Sequence, residues 1–252
     1  MSGPVPRRRS EELLLAKVSA AAGRERIGRR RATYEAAAHA VPADSRPAGG
    51  IRGLPAFARY VRISARRCSV RRFAVKRAAA ARLDLYERGL TVAVKGRIHV
   101  VRYDTTSVFP DGPDSPDGPA RSGTVCTLTD VDGERIALRD RPGHGGAEEW
   151  GAEIERAVTR AQLPRALAAL DEGVRLAFGD VWLTGEGIGT GAGTGKVSAR
   201  WSQVRRVDIR NGAVEVDIAG ERHVWGRAVS GIPNPFVLRA LVRHLGTDGA
   251  AP

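Results

Sequence analysis

The feature that most constrains the fold of this chain is an internal repeat. At an offset of 98 positions, Leu83–Phe109 lies over Val181–Val207, and the pair Arg102-Tyr103 lies over the pair Arg200-Trp201. Single matches carry little weight, but these matches keep their order along both stretches. A repeated order of this kind indicates two copies of one structural unit.

The repeat continues downstream at a smaller offset. At 87 positions, Thr127–Leu138 lies over Val214–Trp225, and both stretches contain Asp followed three positions later by Gly-Glu-Arg. The tract 110–123, rich in Pro, Asp and Gly, lengthens one loop of the first copy and accounts for the difference of 11 positions. We therefore predict a duplicated unit; the alternative is a chance resemblance between two β-rich segments.

Each copy is predicted to contain several short strands followed by one helix. Apolar and polar residues alternate in "VEVDIAG" and "ERHVW", and the Gly-containing pairs Asn211-Gly212, Ala219-Gly220 and Asp132-Gly133 are typical of hairpin turns. Both copies end in apolar residues spaced by four, which indicates one face of a helix. These residues are Trp150, Ile154 and Val158 in the first copy, and Val237, Leu241 and Leu245 in the second.

The ends of the helices can also be predicted. Asn234 is expected as the N-cap of the last helix, with Pro235 in its first turn and Gly246 at its end. In the first copy, Glu148 and Glu149 fall in the first helical turn, where the helix dipole favours anions. Pro164 is expected to start a separate linker helix.

A small sheet whose open end is covered by one helix protects its core from water. In this arrangement Tyr103 and Trp201 are predicted to begin equivalent strands and to pack into the cores of their own units, in preference to stacking on a ligand. The predicted fold class is α+β, mainly β: two tandem units, each an antiparallel β-sandwich or partly open barrel with a C-terminal helix, after a basic N-terminal extension.

These strand, hairpin and helix patterns resemble the pleckstrin-homology-like (PH-like) superfold. More narrowly, "LDLYERGL", "RYDTTSV", "AVTRAQLPRALAAL" and "AVSGIPNPFVLRALVRHL" are similar to an uncharacterised actinobacterial protein family. The resemblance covers about Arg82 to Leu245 together with Gly28–Tyr34. It implies the fold and leaves the function open; the stretch between Tyr34 and Leu83 is longer than the resemblance leads us to expect.

The predicted domain limits follow from the repeat. A basic extension is expected over 1–81, with a helix near 11–22 and partial disorder. The first PH-like unit is expected over 82–162 with the loop insertion 110–123, a linker helix over 163–173, the second unit over 174–246, and a disordered tail over 247–252.

Charge is distributed unevenly along the chain. Residues 1–82 contain 20 Lys and Arg against 5 Asp and Glu, a net charge of +15, whereas residues 83–252 have a net charge of −2. Such an extension suggests a polyanionic partner, although a solvated basic surface is the simpler alternative.

Several classes of protein are disfavoured. Cys68 and Cys126 are the only cysteines and form neither a zinc motif nor a disulfide framework. The first residues lack the apolar core of a signal peptide, and no apolar run approaches the roughly 20 residues that cross a bilayer. We expect a soluble, cytoplasmic protein, with peripheral attachment to the inner face of the membrane as a further possibility.

No catalytic motif is complete. "GIGTGAGTGK" lacks the first Gly and the final Ser or Thr of a phosphate-binding P-loop, and it is interpreted as a turn between two strands. His39, His99, His144, His223 and His244 are scattered, and no carboxylate stands near any of them at ligand spacing, so neither a metal nor a cofactor is expected. A non-enzymatic protein is predicted, although a catalytic triad assembled in space is not visible in a sequence.

Basic residues are the remaining binding candidates. In the first unit they are Lys95, Arg97 and Arg102; in the second, Lys196, Arg200, Arg205 and Arg206; in the extension, Arg66, Arg67, Arg71 and Arg72. The PH-like resemblance implies that Lys95 and Arg97 lie where phosphoinositide-binding members hold phosphates, although many such domains bind peptides or proteins.

Two functions follow from these candidates. The first is a binding or scaffold protein acting on a protein partner or on anionic lipid headgroups, where each cation near the surface contributes about 1 kcal/mol. The alternative is nonspecific binding of nucleic acid by the basic extension, through phosphate contacts that weaken steeply with salt.

Overall fold

The computed structural model describes residues 6–41, 51, 78–110, 124–141, 146–191, 197–210, 213–225 and 232–248. This part of the chain is mainly β. Its fourteen strands pair antiparallel in three sheets, none of them closed into a barrel, and three α-helices pack on the sheets.

The first sheet has seven strands in the order β4-β3-β2-β1-β7-β6-β5. The strands are β1 (Arg30–Val41), β2 (Ala79–Tyr86), β3 (Gly89–Val94), β4 (Arg97–Arg102), β5 (Val108–Pro110), β6 (Thr124–Thr129) and β7 (Arg135–Arg139). The long strand β1 lies at the centre, where it pairs with β2 along most of its length and with β7 at its far end.

The sequence predicts that residues up to 81 precede the first unit, but the sheet includes β1 from within that extension. Ala36 and Ala38 of β1 are buried, and Ala32 and Tyr34 of the same face pack against the core. Alanine is a poor strand former and the strand carries polar residues on its other face, so composition alone conceals it. The tertiary pairing with β2 and β7 stabilises it as a strand.

The second half of the chain forms two smaller sheets. Four strands pair in the order β11-β10-β9-β8 and three in the order β12-β13-β14. They are β8 (Leu176–Phe178), β9 (Val181–Leu183), β10 (Gly187–Thr190), β11 (Val197–Arg200), β12 (Val204–Arg210), β13 (Ala213–Ile218) and β14 (Glu221–Trp225). The predicted turn at Ala219-Gly220 is confirmed, with both residues at positive φ, whereas Asn211-Gly212 lies outside the described residues.

The three helices are α1 (Pro6–Arg24), α2 (Ala147–Asp171) and α3 (Pro235–Asp248). The helix predicted near 11–22 is confirmed as part of α1. The separate linker helix is wrong, because α2 continues through Pro164. The buried residues at 150, 154, 158, 162, 166 and 170 keep their spacing of four across the proline. Their packing offsets the backbone hydrogen bond that Pro164 cannot donate.

The predicted start of α3 is confirmed, and its predicted end is wrong. The helix begins at Pro235 directly after Asn234, but Gly246 lies inside it. A single glycine costs a helix only about 1 kcal/mol relative to alanine, so it does not have to end one. In α2, Glu148 and Glu149 occupy the first turn as predicted.

One continuous core joins both halves of the chain. It contains Trp150, Ile154 and Val158 of α2 together with Val237 and Leu241 of α3, all of them buried as the spacing predicts. A second, smaller core lies on the outer face of the seven-stranded sheet, where α1 covers strands β2, β3 and β4.

A buried polar junction connects α2 and α3 to the chain between β4 and β5. The amide nitrogen of Asn234 donates to the Gln162 side-chain oxygen at 2.8 Å and to the Thr106 carbonyl at 3.0 Å. Its amide oxygen accepts the backbone N–H of Val108 at 2.7 Å. Gln162 in turn donates to the carbonyls of Tyr103 and Thr106. Asn234 thus connects different elements through its side chain, while its backbone oxygen accepts from the first turn of α3.

Tyr103 and Trp201 differ from the prediction in one respect. Each follows the fourth strand of its half, β4 or β11, and neither begins a strand. Tyr103 is buried, and Trp201 is half-buried and packs against the same core. Their backbone N–H groups donate to the carbonyls of Arg88 and Glu186, which are 98 positions apart, as are the two rings. The sequence does not predict that the two aromatic residues follow a strand, because the turn after each fourth strand contains no Gly or Pro to mark the end of that strand.

Candidate functional site

The turn between β3 and β4 presents the first pair of predicted binding residues. Lys95 and Gly96 both have positive φ, 49° and 76°, and Lys95 is exposed to solvent. Arg97 follows at the start of β4 and binds the Glu134 carboxylate through one guanidinium nitrogen, at 2.7 and 3.0 Å. Lys95 is therefore available to an external anion, and Arg97 is already compensated.

Arg102 lies at the other end of β4. Its guanidinium group binds Asp104 at 2.9 Å and donates to the carbonyl of Glu25, directly after α1. Because a strand rises about 3.3 Å per residue, the Cα atoms of Arg97 and Arg102 are about 17 Å apart. The structure does not bring the three predicted residues of the first unit together, and Arg102 ties α1 to the sheet.

The predicted residues of the second unit lie around a short turn. Arg200 ends β11, a 3₁₀ turn spans Trp201–Gln203, and Arg205 and Arg206 lie near the start of β12. Arg206 is paired with Asp208 at 2.8 Å. Arg200 and Arg205 are exposed and have no carboxylate within ion-pair distance among the described residues. Lys196 lies outside the described residues.

The Gly-rich stretch has a packing role where it is described. Gly187–Thr190 is strand β10, and a Cβ on Gly189 would overlap the ring of Trp182. Arg175 lies over the same ring, with its guanidinium carbon 4.2 Å from the ring centroid. Residues 192–196, the rest of the stretch, fall outside the described part of the chain.

Arg66, Arg67, Arg71 and Arg72 lie outside the described residues, but the two ends of their segment are placed. Ile51 is buried in the main core, and Ala79 starts β2, opposite Ala38 of β1. Between these ends, residues 52–77 contain nine Lys and Arg and no Asp or Glu. The basic segment is therefore an insertion between two paired strands, attached at both ends.

Three connections between strands meet at the end of the sheet where β1 ends and β2 begins. The first residues of β2 pair with the last residues of β3, so the Lys95-Gly96 turn lies beside them. Val41 at the end of β1 pairs with Arg135, which brings the β6–β7 turn to the same end. The exposed Lys95, the end of β1 and the start of β2 thus share one end of the sheet, called here the insertion end.

The insertion end also contains a polar cluster that the sequence does not reveal. The Nδ1 atom of His99 lies 2.8 Å from an Asp130 carboxylate oxygen and 3.6 Å from a Glu134 carboxylate oxygen. His99 and Asp130 are 5% and 3% exposed, so the pair is shielded from water. The sequence shows no carboxylate at ligand spacing from any histidine, and the fold brings Asp130 to His99 from a distant segment.

The cluster forms because the β6–β7 turn packs against β4. The backbone N–H of Val131 donates to the carbonyl of Val100, and this bond places Asp130 beside His99. Asp130 and His99 are 31 positions apart, and no local pattern predicts that a turn will pair with a strand edge so distant in sequence. The one signal present is the recurrence of Asp130 at Asp217, whose carboxylate accepts the N–H of Gly220 in its own turn.

The Asp130 carboxylate organises the turn as well as facing His99. Its second oxygen accepts the backbone N–H groups of Asp132 at 3.0 Å and Glu134 at 2.8 Å. One imidazole nitrogen and two carboxylates, with ligand atoms within 4.8 Å of one another, are a donor set that can hold a metal ion. Among the described residues, these three are the group of histidine and carboxylate ligands that lie close enough together to hold a metal ion.

None of the described helices combines the length and the apolar composition that spanning a bilayer requires.

Comparison with known proteins gives a family and no activity. The search of curated proteins found no match. A protein-family model, described as a family of unknown function (DUF6585), matches residues 70–249, which is most of the chain. The protein therefore belongs to the DUF6585 family.

Proposed function

We propose that the protein is a non-enzymatic binding protein that docks its insertion end on an anionic membrane surface. The observation that carries this proposal is the acid-free segment 52–77, with nine cations, which lies in the chain between the buried Ile51 and the sheet strand β2. The segment is followed by β2, whose first residues lie beside the turn that carries the exposed Lys95. A basic segment near an anionic bilayer gains about 1 kcal/mol for each Lys or Arg close to the surface.

The composition of the segment favours a bilayer over nucleic acid. Its arginines alternate with apolar and aromatic residues, among them Phe57, Tyr60, Ile63 and Phe73. Apolar side chains that enter the headgroup region together with Lys and Arg are typical of interfacial membrane binding. Binding to phosphates of nucleic acid requires the cations and makes no use of the aliphatic residues.

We further infer that two PH-like units carry this surface, over 30–171 and 176–248. Each half has seven strands followed by a helix. Gly89 pairs with Arg102 in the first half, and Gly187 pairs with Arg200 in the second, at the offset of 98 that the repeat gives. The boundaries differ from the sequence prediction because β1 supplies the first strand and α2 includes the linker. On this proposal the second unit supports the first or binds a protein partner.

Vesicle flotation tests the membrane proposal. The full chain is mixed with phosphatidylcholine vesicles and with vesicles that also contain phosphatidylserine, and we expect it to float with the second alone. Replacing Arg66, Arg67, Arg71 and Arg72 with Gln should reduce the bound fraction at least about tenfold, since four surface cations are lost.

A control variant of equal charge separates position from total charge. Arg156, Arg160, Arg222 and Arg243 are exposed on α2, β14 and α3, and their replacement with Gln should leave flotation close to that of the wild type. Equal losses in both variants would contradict a localised surface. Absence of flotation, together with a salt-sensitive gel shift that only the first variant loses, would support nucleic-acid binding instead.

A further inference from the structure

We propose that His99, Asp130 and Glu134 form a binding site for a divalent transition metal of the Zn²⁺ class. The inference is independent of membrane binding, because none of its three residues belongs to the basic segment. It assigns a role to a buried histidine–carboxylate pair that the binding function does not use.

The distances suit a metal of this size. Zn²⁺ bonds to histidine nitrogen and carboxylate oxygen at about 2.0–2.2 Å, so two ligand atoms in a tetrahedral site lie about 3.3 Å apart. The Nδ1 atom of His99 lies 2.8 Å from Asp130 and 3.6 Å from Glu134, on either side of that value. The ligand atoms of all three residues lie within 4.8 Å of one another, so side-chain shifts of up to about 1.5 Å would bring them to tetrahedral spacing, with Nδ1 as the nitrogen ligand.

The ligands are held in place before any metal binds. Asp130 receives two backbone N–H groups on one oxygen, which leaves its other oxygen directed at His99. Hydrogen bonds of this kind to a ligating carboxylate fix its orientation and raise metal affinity. His99 is fixed by the neighbouring pairing of Val100 with Val131.

The site is also accessible and electrically balanced. The Glu134 side chain is 43% exposed, so a metal can enter on its side and keep a water as fourth ligand. Two carboxylates and a neutral imidazole compensate the charge of a divalent ion. Without a metal, Arg97 compensates Glu134, and the Arg97 side chain is 63% exposed and can turn away into solvent.

This arrangement makes Arg97 a competitor of the metal for one carboxylate. A structural hydrogen-bonded cluster without a metal would have Arg97 as a supporting member. Removing Arg97 should therefore raise metal affinity if the cluster is a metal site, whereas a purely hydrogen-bonded cluster would lose a supporting member and gain no metal affinity.

Titration of the full chain with Co²⁺, a spectroscopic substitute for Zn²⁺, tests the site. We expect one equivalent to bind, with a visible absorption band of a four- or five-coordinate ion that added Zn²⁺ removes. Glu134→Gln should weaken binding at least about tenfold, and His99→Gln should abolish it. Arg97→Gln should strengthen binding by up to about fivefold, the range of an exposed ion pair.

Asp132→Asn is the matched control, because Asp132 is an exposed carboxylate of the same turn outside the three-residue group. It should bind Co²⁺ as the wild type does. Circular dichroism of each variant establishes that it is folded; Glu134, at the surface, can be changed even where His99→Gln unfolds the chain. No Co²⁺ binding by the wild type, unchanged binding in Glu134→Gln, or weaker binding in Arg97→Gln would overturn the proposal.

The metal test and the membrane test fail independently. If the chain binds Co²⁺ but does not float with anionic vesicles, the metal site is supported and the membrane proposal is contradicted. If it floats with anionic vesicles but does not bind Co²⁺, the membrane proposal is supported and the metal site is contradicted.

Discussion

At the scale of single residues, the two halves share a backbone contact that permits only glycine. A Cβ on Gly89 would overlap the carbonyl oxygen of Val101, and a Cβ on Gly187 would overlap the carbonyl oxygen of Ala199. The two glycines are 98 positions apart, and so are the two residues whose carbonyl oxygens they approach. The same strand crossing in each half therefore excludes a side chain for the same steric reason.

Gly187→Ala should accordingly destabilise the protein. The added methyl group meets backbone, which cannot rotate away, and overpacking of this kind costs about 1–3 kcal/mol of unfolding free energy. Urea unfolding monitored by circular dichroism measures the change. As a control, Gly246→Ala has open space around the new Cβ and should raise the unfolding free energy by up to about 1 kcal/mol. Equal effects of the two substitutions would contradict the steric explanation.

Tyr103 should make stability depend on alkaline pH. Burial raises the pKa of Tyr103, to which the charge of Glu153 adds. An unfolded tyrosine ionises near pH 10, whereas the folded one stays protonated to higher pH. Its contribution to stability is complete below pH 10 and is lost as the pH rises toward the folded pKa, by up to about 1.4 kcal/mol per pH unit.

The measurement compares the unfolding free energies of the wild type and Tyr103→Phe between pH 9 and 11.5. This range extends about 1.5 pH units above the pKa of an unfolded tyrosine. The difference in unfolding free energy should be constant below pH 10 and should then shift in favour of the variant. A difference that stays constant over the whole range would show that Tyr103 ionises freely in the folded protein.

The sequence predicts burial at these residues and misses partners that come from distant segments. The repeat identifies Tyr103 and Trp201 as equivalent, and the spacing of four identifies Trp150 and Ile154 as core residues. Asn234 is predicted at the right position before α3, but the contacts of its side chain lie more than 70 positions away. The pairing of His99 with Asp130 cannot be predicted from the sequence for the same reason, because tertiary packing brings the two residues together.

At the scale of elements, α1 has a specific docking site. Val18, Ala21 and Ala22 of α1, with Ile27 after it, pack on Tyr86, Ala93 and Val100 of the outer sheet face. The helix is predictable from its Leu and Ala content, but its partner is not. The outer face of β2 to β4 contains polar residues, among them Asp84 and Thr91, that conceal its apolar centre.

Val18→Asp should detach α1 from the sheet. Val18 is fully buried, and a carboxylate there must either be desolvated or leave with the helix, at a cost of roughly 2–4 kcal/mol of unfolding free energy. Limited proteolysis should then cleave α1 faster. Leu13→Asp, in the same helix, changes a side chain that is 57% exposed and should leave both stability and cleavage nearly unchanged. A similar cleavage rate in both variants would argue against docking through Val18.

The other elements show where local sequence is insufficient. Composition conceals β1 because its inner face is mostly alanine, and β1 becomes a strand through pairing on both sides. The sequence also overstates the effect of Pro164, since packing of the buried face carries α2 through it. In both cases tertiary contacts exceed a local preference of a few kcal/mol.

At the scale of the whole molecule, one core and one polar junction unite the two halves. The main cluster runs from Ala36 in β1 to Leu241 in α3, and Asn234 bridges α2, α3 and the start of β5. The sequence predicts two units and does not predict that they share an interior. Units that share a core should unfold together.

Calorimetry should therefore show one heat-absorption peak whose calorimetric and van't Hoff enthalpies agree. Asn234→Asp retains an acceptor for Val108 and loses the two donated hydrogen bonds, so it should lower the transition temperature of the whole protein. Asp217→Asn, at a half-exposed position near the end of β13, is the control and should have a much smaller effect. Two separate peaks in the wild type would contradict a shared core.

The central position of β1 has a practical consequence for the design of truncated forms of the protein. The family match begins at residue 70, yet β1 (Arg30–Val41) occupies the middle of the seven-stranded sheet. A recombinant fragment that begins at residue 70 would lack β1, so the edges of β2 and β7 that pair with β1 would have unpaired backbone N–H and C=O groups. Such fragments should be recovered as aggregates, and supplying the missing strand as a synthetic peptide should restore them to solution.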